Sequence, residues 1–373
     1  MKLALAAASL AISCFSPTSH AVRYVLQDLG NELVADHLLS FGDRRDELRI
    51  GPSGEVVGTG GGNLLIHANG SLQRIAPPQG HRVQRVSDVN SRGDVLVQLT
   101  DTTTFRSSMA IYRNGGFVPI GSPTARYSYA YRLNADGDAI GTESSEGATN
   151  PTIVRMNAAG SSPIPVTSGN PDFSATTIND SGAIAGFPRD KPANAPFFVE
   201  DGSLTSPDPI PEIYQGYLHD MNAHGVAVGW ARPENRVMRP FVATSDGYSE
   251  LEIPRNTGNF FTEGMAYSIN DRGDIVGGLA FSRRAVLWQN GKASVLGDLV
   301  DSASPVFLLV AMDINNAGQI VGLGGRGPFQ PEYAFLLTPV PEPETTWLTA
   351  AGLTVIGVVL ARSKKRRRPS VGA

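Results

Sequence analysis

The chain has 373 residues, with 41 Gly, 26 Pro and 41% hydrophobic residues. Turn formers at that frequency, spread along the whole length, exclude a helical bundle, and the apolar share excludes disorder throughout. The formal net charge is −4, and the length fits two domains or one large all-β domain.

Residues 1–21 read as a secretory signal. Lys2 gives the positive start, Leu3 to Ile12 the apolar run, and Ser19-His20-Ala21 the small-x-small cleavage site. Cleavage there removes Cys14, the only cysteine, so the exported body must be held by packing rather than by disulfides. The next segment, Val22 to Gly30, reads as a strand.

From residue 50 onward one pattern recurs seven times: apolar, Asn, two variable residues, Gly, one variable residue, two small or apolar residues, Gly. The copies start at Ile50, Val89, Leu133, Ile178, Met221, Ile269 and Ile314; Gly51 replaces the Asn in the first, and Val97 the last Gly in the second. The inner glycines are 54, 93, 137, 182, 225, 273 and 318. Asn can bond backbone groups two residues on, and Gly takes a positive φ freely, so the pattern predicts a tight hairpin between two strands. The last Gly is expected to let neighbouring units approach closely.

A third strand follows in each unit, as in Leu64-Leu65-Ile66, Phe197-Phe198-Val199 or Ala285-Val286-Leu287-Trp288. Turn pairs such as Asn69-Gly70, Asn114-Gly115, Asp201-Gly202, Asp246-Gly247 and Asn290-Gly291 then lead to a fourth strand. Four strands on a period near 44 predict β-propeller blades. The seventh unit has no fourth strand before Pro339. Val22 to Gly30 supplies one, and Asp28-Leu29-Gly30 echoes Gly297-Asp298-Leu299 at the end of the sixth unit. The fold expected for 22–338 is therefore an all-β, seven-bladed propeller closed by the N-terminal strand, which removes both open edges.

The Ile-Asn-x-x-Gly-x-Ile-Val-Gly motif, the Ala-Phe-Leu-type strand and the Asp-Leu-Gly turn resemble the HAF-type extracellular repeat, best over 266–299 and 311–337. The resemblance implies an exported protein and assigns no activity to any residue.

Site chemistry is sparse. His219 and His224 lack a third partner of metal-ligand spacing, and Asn134 to Asp138 has calcium-like acidity but is a copy of the repeat turn. No metal, cofactor or catalytic residue is assigned, and no GxSxG, Walker loop or dinucleotide fingerprint occurs in context. Loops joining second to third strands, and those between units, share one propeller face. There Tyr127, Tyr217, His219, Trp230, Arg232 and Arg236 are the candidate ligand-binding residues, since aromatic faces with a few polar donors suit sugar rings. The alternative is that aromatics of these strands pack between blades.

The C-terminal segment 339–373 opens on Pro341-Glu342-Pro343, runs through 16 uncharged residues at 346–361 and ends in a basic cluster to Arg368. As a transmembrane helix the middle part spans about 24 Å, and the cations behind it hold the C-terminus on the cytoplasmic side. This order resembles the PEP-CTERM sorting signal of Gram-negative bacteria. The resemblance implies an exosortase-type protease as partner, a transient inner-membrane anchor, and a destination in the envelope or outside the cell, often with exopolysaccharide and biofilm.

Without both ends the body carries nine more acidic than basic residues, which disfavours nucleic acid. Two functions follow as expectations. One is an exported, non-enzymatic repeat protein presenting a binding or structural surface to a glycan or a surface protein. The alternative is a propeller-type polysaccharide hydrolase or lyase, which requires a cluster of carboxylates and His at one channel mouth.

Overall fold

The computed structural model describes residues 22–34, 48–146, 151–164, 173–188, 195–207, 213–233, 237–254, 263–280, 282–300, 307–327 and 333–340. The signal at 1–21 and the sorting segment, including Pro341, Glu342, Pro343 and the helix expected at 346–361, lie outside these. No described helix is long and apolar enough to cross a membrane.

Residues 24–340 form one compact all-β unit. The described strands make five four-stranded sheets and one eight-stranded sheet. The larger one is two four-stranded antiparallel meanders joined where Tyr127 pairs in parallel with Ser107. The first strands of successive meanders are Arg49–Ile50, His81–Val89, Tyr127–Leu133, Phe173–Ile178, Ile213–Met221, Gly264–Ile269 and Phe307–Ile314. Each first strand touches those of the meanders before and after it, and Phe307–Ile314 touches Arg49–Ile50.

The last meander takes its fourth strand from the other end of the chain. Tyr24–Asp28 pairs antiparallel with Tyr333–Pro339, from Tyr24 opposite Pro339 to Asp28 opposite Phe335. Leu29 N–H to the Ala334 carbonyl at 2.9 Å and Ala334 N–H to the Gly30 carbonyl at 3.0 Å continue the pairing.

Apolar cores sit between successive meanders. Leu96, Met109 and Ile111 pack with Ala130, Leu133 and Met156. Phe187 and Phe198 pack with Leu218 and Phe241. Ile50, Val56 and Leu65 of the first meander pack with Val310, Val321 and Leu336 of the last.

The repeat turn forms as its residues dictate. Asn90 Oδ1 accepts the N–H groups of Arg92 (3.0 Å) and Asp94 (2.9 Å), and Asn134 does the same for Asp136 and Asp138. All seven inner glycines lie between φ +75° and +87°. In the first turn Glu55 fills the space left by Gly51, where a Cβ would collide with it, and its Oε2 takes the Ser53 N–H at 3.0 Å.

Six of the seven first strands, all but Arg49–Ile50, carry a bulge before the turn. The register slips between Val86 and Asp88, Ala130 and Arg132, Ala175 and Thr177, Leu218 and Asp220, Ala266 and Ser268, and Ala311 and Asp313. The last Gly of the motif stands opposite the bulge. A Cβ on Gly141, Gly186, Gly229, Gly277 or Gly322 would collide with the carbonyl oxygen of Tyr129, Ser174, Tyr217, Met265 or Val310. The close approach is therefore to the first strand of the same unit, correcting the expectation of contact between units.

Candidate functional site

A bulge re-aims the side chain that follows it. In six units that residue stands two before the turn Asn, as Asp88, Arg132, Thr177, Asp220, Ser268 and Asp313, and Arg49 holds the same place before Gly51 in the first. Five of them, Asp88, Arg132, Asp220, Ser268 and Asp313, line a cavity of about 260 Å³ at the end where the repeat turns gather. Asn90, Asn179, Asn222, Asn270 and Asn315 line it too, and Ser91, Asp180, Asp271 and Asn316 stand beside them.

The charges form a connected chain. Arg132 Nη1 is 3.5 Å from Asp88 Oδ1, and its Nε is 3.3 Å from Asp220 Oδ1. Arg49, 2% exposed, donates Nε–H to the Ser87 carbonyl at 2.8 Å and lies 4.0 Å from Asp88 Oδ1. Each carboxylate also accepts a backbone N–H from the next unit: Asp88 from Leu133 (2.8 Å), Asp220 from Ile269 (3.0 Å) and Asp313 from Ile50 (2.9 Å). The last of these runs from the final repeat to the first.

The turn asparagines add a second set of links. Asn90 Nδ2 donates to the Asn134 carbonyl at 2.9 Å, Asn222 to Asn270 and Asn270 to Asn315 at 3.2 Å each, and Asn315 to the Gly51 carbonyl at 3.0 Å. One level further out, Asp180 accepts from Ala135 N–H (2.7 Å) and Ser91 Oγ (2.7 Å), and Asp271 from Ala223 N–H (2.9 Å).

Burial decides the proton balance. It pushes Asp88 up to about 7, with the Asp220 charge adding and Arg132, Arg49 and the Leu133 N–H opposing. Burial likewise raises Asp313. Ser268 Oγ lies 2.8 Å from Asp220 Oδ2 and 2.7 Å from Asp313 Oδ1. A hydroxyl has one proton to give, so the two carboxyls share this donor. Among the described residues no cluster of three His, Cys, Asp or Glu is placed to hold a metal ion.

No family model and no curated protein matches the chain. Solved structures of propeller type do. One is from an analysis of two prolyl endopeptidases, at 8% identity and TM-score 0.50, covering 87% of this chain and 51% of that one. The extracellular domain of a one-component system of B. thetaiotaomicron gives 10% identity and TM-score 0.48, covering 86% of this chain and 40% of that one. YCF48 from Cyanidioschyzon merolae gives 12% and 0.45, covering 84% of this chain and 98% of that one. At these identities the likeness concerns the fold alone.

None of the described residues singled out in the sequence is among those lining this cavity. Tyr127 opens its strand, 49% exposed, with the Arg126 guanidinium 5.3 Å from its ring centre. Tyr217, His219, Trp230 and Arg232 share two paired strands, with Tyr217 opposite Trp230. His219 is buried between Tyr217 (4.8 Å) and Tyr267 (5.2 Å), and Trp230 is buried as well. Arg232 donates to Gln215 Oε1 at 3.0 Å, and Arg236 lies outside the described residues. The sequence reading passed over Arg49, Asp88, Arg132, Asp220 and Asp313. Their signal is a fixed place, two residues before the Asn, but the residue there changes from unit to unit.

Proposed function

We propose that 22–338 is a closed seven-bladed β-propeller exported as a non-enzymatic binding or structural surface of the cell envelope or matrix. A PEP-CTERM-type signal read by an exosortase-type protease delivers it, its repeats are of the HAF type, and its partner is a glycan or surface protein tied to exopolysaccharide and biofilm. Seven meanders whose first strands touch in order, with Phe307–Ile314 against Arg49–Ile50, support the ring. One observation carries the non-enzymatic reading. The three cavity carboxylates each hold a backbone N–H of the next unit, so they act as rivets between repeats.

The hydrolase or lyase alternative has one observation in its favour: Asp88, raised to about 7, shares Arg132 with Asp220, and a carboxyl of that kind suits general acid catalysis. It lacks a His at the cavity, where none is among the lining residues. Incubating the protein with a panel of neutral and acidic polysaccharides separates the two. The proposal expects saturable binding without new reducing ends or unsaturated uronates. Product release abolished by both Asp88→Asn and Asp220→Asn would overturn it.

A further inference from the structure

The hairpin between the strands Val95–Asp101 and Ser107–Arg113 carries Phe105 at φ +57° with 67% of its surface exposed. Both facts count against a folding role. A left-handed φ is an outlier for a bulky side chain, and an exposed ring gains no burial. The corresponding hairpin of the first unit takes its left-handed positions with Gly61 (φ +58°) and Gly62 (φ +77°). A backbone outlier held without stabilising gain points to function.

The hairpin holds the backbone that carries that ring. Asp101 Oδ1 accepts the N–H groups of Thr103 (2.8 Å) and Thr104 (2.7 Å), and Phe105 N–H donates to the Asp101 carbonyl at 3.0 Å. Thr102 bonds the Gly80 carbonyl through both its N–H (2.8 Å) and its Oγ1 (3.0 Å).

A second exposed ring stands nearby, because Ser107 pairs with Tyr127. Tyr127 is 49% exposed and has Arg126 stacked on it. Arg106 and Arg126 each lie 3.6 Å from Glu146, itself 72% exposed. The two guanidiniums share that one carboxylate, while the other carboxylate of the hairpin, Asp101, is engaged by the Thr103 and Thr104 N–H groups.

We propose that Phe105, Tyr127, Arg106 and Arg126 form a platform for an acidic polysaccharide, the rings covering the C–H faces of the sugars and the guanidiniums taking their carboxylates. Flat apolar faces beside fork-shaped cations match a chain of uronic acids, which offers both features in each residue. The proposal rests on the glycan-binding reading and names its ligand class and place.

The test measures binding of the full chain to polygalacturonate, with dextran and poly-L-glutamate as comparison probes. The variants are Phe105→Gly, Tyr127→Ser and, as an exposed aromatic elsewhere, Tyr248→Ser. Wild type should bind polygalacturonate saturably and the other two probes weakly or not at all. Phe105→Gly should weaken binding about tenfold, a loss of the size of one ring contact, while its Tm stays equal or rises because glycine relieves the left-handed φ. Tyr127→Ser should weaken it similarly, and Tyr248→Ser should not. Wild-type affinity in Phe105→Gly would overturn the platform and leave the glycan reading standing. Equal binding to poly-L-glutamate would assign the patch to charge alone, and equal binding to dextran would remove the acidic ligand. No binding to either polysaccharide would overturn the platform together with the reading it rests on.

Discussion

Replacing Asn315 with Ala tests whether the last repeat is bound to the first in solution. Asn315 Nδ2 donates to the Gly51 carbonyl at 3.0 Å and its Oδ1 accepts the Gln319 N–H at 3.0 Å. Asn222 has the same role inside the array, donating to the Asn270 carbonyl at 3.2 Å and accepting from His224 and Val226 at 3.0 and 3.1 Å. Each bond is worth about 1 kcal/mol net, and a buried partner left unpaired costs about 1–3 kcal/mol more. Both variants should therefore lose about 2–4 kcal/mol. Were the ends apart, Asn315→Ala would lose only its local turn bond, about 1 kcal/mol. Urea unfolding with equal m-values reads the difference directly. The reasoning fails if Asn222→Ala costs about 3 kcal/mol while Asn315→Ala costs only about 1 kcal/mol or less.

Two further outcomes follow from the same geometry. Gly277→Ala should cost about 3 kcal/mol or more, since its Cβ meets the Met265 carbonyl and backbone cannot yield cheaply; Gly291→Ala, with open space at φ +73°, should cost about 1–2 kcal/mol, and equal losses in thermal unfolding would refute the role assigned to the bulge. Asp88, raised to about 7, holds its proton in the folded state while the unfolded chain ionises it above about 4. Its contribution to stability is thus full at low pH and falls as pH rises from about 4 to 7, by up to about 1.4 kcal/mol per unit. Asp88→Asn lacks that titration, so its stability relative to wild type should improve between pH 5 and pH 8, and a difference independent of pH would count against a protonated Asp88.

The periodic features were legible because they are backbone requirements repeated many times. Positive φ at Gly54, Gly93 and their counterparts, and at Asn69-Gly70, Asn114-Gly115, Asp201-Gly202 and Asn290-Gly291, agrees with the turn chemistry read from the residues. The pairing of Tyr24–Asp28 with Tyr333–Pro339 followed from a missing strand in the seventh unit. The bulge was not legible, because it is a register slip with no residue of its own. The purpose of Gly229 or Gly277 was misread with it. Phe105 escaped notice because its exposure and φ are properties of the folded hairpin, not of the residue type.

The cavity escaped notice for a different reason, and that reason explains how it is held together. A motif is found by sameness, whereas the position two before the Asn works by complementarity. Through the first three units the position alternates between cation and carboxyl, with Arg49 and Arg132 on either side of Asp88. The fourth unit offers only Thr177, and Arg132 reaches past it to Asp220 of the fifth. Beyond that point no cation occupies the position, and Asp220 and Asp313 would face each other as like charges. Ser268 stands between them at 2.8 and 2.7 Å, and its hydroxyl bridges the two where a cation is missing. Asp313 then returns to the Ile50 N–H beside Arg49. One part of the circuit is bound by guanidinium–carboxyl contacts and the other through a shared hydroxyl. Two guanidiniums face three carboxyls, so pairing does not offset the burial of Asp88 and Asp313, and both are raised.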